Sequence, residues 1–161
     1  MAKRILVPVD TNARAERIVP VVAALARDGG GTVRLLHVQP VPRTHVDGDV
    51  HPMSWCGQDS GDVVAARVLV YGHAQEEQLE AEALARLREL ESLLDGVVVE
   101  RSVRFGEIVE EIAREASEFS ADLVALSESR RPWWRPALAR IVDRLRARTS
   151  VPVLALSGGA S

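Results

Sequence analysis

Cysteine is nearly missing from this chain: Cys56 is the single one among 161 residues, so no internal disulfide forms, and such usage fits a reducing cytosol. Excess positive charge is missing as well. The formal net charge is −3, which removes any global attraction to nucleic acid or anionic lipid. The opening "MAKRILVPVDTN" has two basic residues, but its apolar run is far too short for a signal peptide or a membrane span. Catalytic patterns do not occur either: Ser127 and Ser129 have no histidine nearby in sequence, there is no G-x-S-x-G elbow, and no P-loop lysine follows a glycine run. These absences predict a soluble cytoplasmic protein with no membrane or nucleic-acid partner and no catalytic residues. The length fits one domain around a single buried core.

What is present alternates between strand and helix. "RILVPVD" is a short β-branched run ending in the turn-forming "DTN", the pattern of a buried parallel strand whose tip is Asp10. From Ala13 to Asp28, Ile18, Val22 and Leu25 share a helical face with Val21 alongside; Pro20 is expected to kink this helix and "GGG" at 29–31 to stop it. "TVRLLHVQP" reads as a second strand with Val38 at its tip. "DVVAARVLVYG" fits either helix or strand, but Leu79, Ala83, Leu87, Leu90 and Leu94 then hold a helical stripe to about Asp95. "VVVERSVRF" places Val97, Val99, Val103 and Phe105 opposite Val98, Glu100, Ser102 and Arg104, the alternation of a sheet edge, with Arg101 the exception on the apolar face. Ile108, Ile112, Glu115 and Phe119 mark one side of the next helix, widened by Val109 and Ala116. "ADLVALS" reads as a central strand, Pro136–Arg148 as a helix and "SVPVLALS" as the last strand.

This order implies right-handed crossovers and an α/β three-layer sandwich of flavodoxin or Rossmann type, its mainly parallel sheet covered by helices on both faces. Ligands in such sheets settle at the carboxyl ends of the strands, which here means Asp10, Val38 and the loop after Leu126. The stretch at about 39–60 has no stable period and reads as a long loop insertion. It holds His45, Asp47, Asp49, His51 and Cys56, whose spacing follows no structural zinc pattern, so no metal is expected.

The chain resembles the universal stress protein family. "ILVPVD", "LLHVQP", "ADLVALS" and the closing "VPVLAL" fall in the family's order, "GEIVEEIAREASEFSADLVALS" is similar to its passage between the third and fourth strands with Ile108 at the usual proline, and "ARIVDRLRARTSVPVLAL" is similar to its last helix and strand. The resemblance implies a five-stranded sheet of order 3-2-1-4-5 and a homodimer paired through the last strand, at Val151, Val153, Leu154 and Leu156. It also implies ATP binding in many members, through a loop of form G-x-x-G-x9-G-[ST] after the fourth strand, with Asp10 and Val38 at the ribose and base contacts.

That loop is where this chain departs. "SESRRPWWRP" contains no glycine; Ser127 and Arg130 stand at the first two glycine positions, and Ala139 with Arg140 at the closing Gly-[ST] pair. Glycine lets backbone N–H groups approach phosphates and adopts φ > 0 freely, so ordinary phosphate cradling should fail. Two readings of the arginines stay open: Arg130, Arg131, Arg135 and Arg140 grip an anionic ligand in place of backbone amides, or they are solvated and partly neutralised by Glu128 and Asp143. Trp133 and Trp134 are read as plugging the vacated pocket. The expectation is a non-catalytic, stress-linked homodimer acting through a protein partner or small anionic ligand, with no cofactor required; the alternative is an adenine-nucleotide sensor that binds ATP or a relative through arginines.

Overall fold

The computed structural model describes residues 3–9, 16–41, 60–128 and 137–157, with the backbone alone at 60–71, 128, 137–140 and 157. Its strands are β1 (Arg4–Pro8), β2 (Thr32–Gln39), β3 (Val98–Phe105), β4 (Leu123–Glu128) and β5 (Val153–Ser157). They form one five-stranded sheet of order β3-β2-β1-β4-β5 in which every pairing is parallel. The helices are α1 (Ile18–Gly29), α2 (Ser60–Glu91), α3 (Ile108–Glu118) and α4 (Ala137–Arg148).

Right-handed crossovers dictate where these helices go. The chain steps outward from β1 to β2 and β3, which puts α1 and α2 on one face; it then jumps back to β4 and on to β5, which puts α3 and α4 on the other. Alternate residues of the same strands feed the two layers. Ile5, Val7, Val33, Leu35 and Ala125 pack with Ile18, Val22, Leu87 and Leu90, whereas Leu6, Leu36 and Val124 pack with Ile112, Phe119 and Leu145. The central strands β1 and β4 are largely apolar because both of their faces are covered.

Local sequence sets the helix limits. α1 starts on Arg17 without a side-chain cap, a loss on the order of 1 kcal/mol. Burial of Ile18, Val19 and Val22, at about 1.5–3 kcal/mol each, outweighs it. Gly30 closes the helix in the left-handed conformation at φ 59°, as the glycine run predicts. Two details correct the sequence reading. Pro20 lies in the first turn of α1, where a missing N–H breaks no helical bond, so there is no interior position to kink, and Val21 is exposed instead of sharing the core face. The "DVVAARVLVYG" stretch belongs to α2.

β3 forms one edge of the sheet, as its alternation predicts. Arg101, the charged exception on its apolar face, reaches Glu91 at the end of α2 at 3.3 Å. Val97, Val99 and Val103 pack with the α1 and α2 layer. Ile108 departs from its predicted stripe: it stands at the first turn of α3, exposed, while Ile112 and Phe119 are buried.

Candidate functional site

Strand order reverses between β1 and β4, so the crevice of a doubly wound sheet opens at their carboxyl ends, with β2 beside β1. Val38 lies one residue before the end of β2 and packs into the α3 and α4 layer. Ser127 lies one residue before the end of β4, half-buried and in register with Leu156 of β5. Val38 and Ser127 therefore share one rim of the sheet, separated by β1. Arg140 falls in the first turn of α4, where the backbone alone is described. Asp10, Arg130, Arg131, Trp133 and Trp134 lie outside the described residues, as do His45, Asp47, Asp49, His51 and Cys56. Val153, Leu154 and Leu156 are half-buried on the outer strand β5, and Val151, also half-buried, lies two residues before it, all away from the rim's centre.

The rim also holds a residue that sequence reasoning passed over. His37 follows Leu35 on the α1 and α2 face of β2 and is 6% exposed. Its Nδ1 lies 3.1 Å from the Val9 carbonyl, while Val9 N–H donates to the Leu36 carbonyl at 2.8 Å. Both backbone groups of Val9, the residue that leads into position 10, are thus fixed by β2. A carbonyl only accepts, so the shared proton belongs to Nδ1 of His37. Nε2 of the same ring is buried and has no hydrogen-bond partner among the described residues.

Electrostatics elsewhere are dominated by a cluster between the β2–β3 edge and α3. Glu115 of α3, 2% exposed, accepts from Arg34 of β2 at 2.7 Å and from Arg104 of β3. Arg34 also holds Glu100 at 2.5 Å and lies over the Phe119 ring, 4.1 Å from its centroid. Arg104 pairs further with Glu118 and, at 3.5 Å, with Glu111. Burial pushes the Glu115 carboxyl up, but hydrogen bonds and attraction from Arg104 and Arg34 outweigh it and hold the group below the usual carboxylate range. Glu115 stands on the predicted apolar stripe of α3, and a carboxylate there is itself the signal that cations must meet it.

At the start of α3, Glu107 caps the helix by accepting from the Glu110 N–H at 2.9 Å. Arg144 of α4 donates to the same carboxylate at 3.0 Å, and Arg148 pairs with Glu110. The bond from the Glu110 amide, with Arg144 beside it, holds the Glu107 carboxyl below its ordinary range. Among the described residues no group of His, Cys, Asp or Glu is arranged to hold a metal, and no helix is long and apolar enough to cross a membrane.

The fold has counterparts among solved structures. Hypothetical protein MJ0577 superposes with a TM-score of 0.68 at 19% identity, covering 100% of this chain and 99% of its own. A universal stress protein in complex with cAMP gives a TM-score of 0.65 at 14% identity, covering 98% of each chain. The universal stress protein from Archaeoglobus fulgidus in complex with dAMP gives 0.53 at 18% identity, covering 95% of this chain and 96% of that one. No curated protein sequence matches. At these identities the structures speak for the fold alone. Membership rests on the sequence: the model of the universal stress protein family matches residues 1–157, and to that family the chain belongs.

Proposed function

We propose that this chain is a non-catalytic stress-response protein, one domain with an insertion at about 39–60, that works in the cytoplasm as a homodimer and engages a small ligand or a protein partner without cradling ATP by its phosphates. One observation carries the reading. The connection between Glu128 at the end of β4 and Ala137 at the start of α4 contains no glycine, so its backbone lacks the residues that approach phosphates most closely. Calorimetric titration with ATP and magnesium, and with AMP, tests it. ATP should bind no more tightly than AMP, because the additional phosphates find no cradle. An ATP affinity tenfold or more above that of AMP would overturn the reading.

A second reading is favoured by the neighbours solved with cAMP and dAMP. In it, Asp10 and Val38 hold an adenine nucleoside while Arg130, Arg131 and Arg140 replace the glycine amides. The Arg130→Gly variant separates the two: weaker ATP binding means that the arginine grips, and stronger binding means that it obstructs the phosphate volume.

A further inference from the structure

The geometry points to His37 as a ligand-reading residue: Nε2 accepts a hydrogen bond from a hydroxyl or amino group of a small molecule held at the tips of β1 and β2. This rests on the small-ligand arm of the proposed function. The Val9 carbonyl, 3.1 Å from Nδ1, takes the proton of that nitrogen, and in the neutral form of the ring this leaves a bare lone pair at Nε2. That lone pair is buried and unpartnered among the described residues, in a side chain that is 6% exposed. Leaving a buried acceptor unsatisfied forfeits its hydration without return. Native structures carry few such atoms, and each calls for an explanation such as a functional role, a water or an ion.

Position decides among those partners. His37 sits near the carboxyl end of β2, next to Val38 and beside Val9, on the side of the sheet where doubly wound folds collect their ligands. A neutral acceptor selects a donor, so the group it reads is a hydroxyl or amine and not a phosphate or carboxylate oxygen. A metal is disfavoured by the same surroundings, because among the described residues no group of three or more His, Cys, Asp or Glu side chains could hold one.

The test is a cycle in which the ligand and the protein are altered in turn. AMP, its 2′-deoxy and 3′-deoxy forms, and IMP, which has an oxo group in place of the amine, are titrated into the wild type and into His37→Asn. The asparagine amide keeps a donor for the Val9 carbonyl but removes the acceptor at Nε2. One of the altered ligands should bind the wild type roughly tenfold more weakly than AMP, and that difference should vanish in the variant. In the wild type, the Nε2 nitrogen resonance should move upfield as AMP is added, a readout that needs no variant to fold. If no ligand's penalty depends on residue 37, or if Nε2 proves to hold a trapped water that AMP leaves in place, the inference fails while the small-ligand reading stands. If AMP does not bind the wild type, both are withdrawn.

Discussion

Arg34 in β2 donates from Nη1 to Oε1 of Glu115 in α3 at 2.7 Å, joining residues 81 positions apart. Glu115 is buried and Arg104 takes its other oxygen, whereas the further partners, Glu100 for Arg34 and Glu118 for Arg104, are much more exposed and screened by solvent. Glu115→Gln keeps the volume but leaves two cations facing a neutral amide. Removing one partner of a buried pair typically costs about 3–5 kcal/mol, and the partial exposure of both arginines places the expected loss near the lower figure. Urea unfolding followed by circular dichroism measures it. A loss under about 0.5 kcal/mol would show that the cluster is surface charge and nothing more.

The same carboxylate sets an acid limit on stability. Folded Glu115 titrates below its unfolded value of about 4.3, so the unfolded chain binds the proton more readily. Its contribution is therefore complete above the unfolded value and is lost as pH falls through the lower, folded one. Glu107 acts in the same direction through the Glu110 amide. The urea midpoint should drop as pH is lowered below about 5, and the drop should be shallower in Glu115→Gln. Identical slopes for the two proteins would remove Glu115 from the account.

Gly106 joins β3 to α3 at φ 153°, and its N–H donates to the Gln39 carbonyl at 2.9 Å. A Cβ there would stand 2.8 Å from Cγ and from Oε1 of Glu111. Glu111 faces Arg104 at 3.5 Å, so the clash would also push on the arginine cluster. Gly106→Ala should destabilise by about 1–3 kcal/mol, and the melting temperature should fall accordingly. An unchanged melting temperature would mean that this turn relaxes freely.

Much of this fold is legible in the sequence because the strands are covered on both faces. A short apolar run such as "ADLVALS" suits a strand buried on both faces, and β4 lies inside the sheet between β1 and β5. The stop at Gly30 is equally local. What could not be read locally depends on register. That Arg34 meets Glu115 follows from how α3 crosses back over β2, and that His37 meets Val9 follows from the alignment of β1 with β2. The stretch "DVVAARVLVYG" is rich in β-branched and apolar residues with only Asp62 and Arg67 charged, so no period separates helix from strand, and its place at the start of α2 comes from the helix as a whole. At the candidate site, Val38 and Ser127 are at the strand ends where the apolar runs place them. The roles assigned to the arginines and tryptophans after Ser127 depend on loop conformation, which periodicity does not encode.

β5 tests the proposed homodimer. It is the outermost strand beside β4, and Val153 packs into the α3 and α4 layer while Leu156 packs into the α1 and α2 layer. Both faces of the strand are thus engaged by its own chain, and its outer edge remains as the place for a second copy to pair. A charge on such an edge opposes pairing without emptying either core, and Leu154 is half-buried between the two anchoring residues. Light scattering should give the mass of a dimer for the wild type and of a monomer for Leu154→Lys, with the same far-ultraviolet circular dichroism for both. A monomeric wild type would sink pairing by β5, and so would a variant that stays dimeric, because an edge that tolerates a buried lysine is not in the interface.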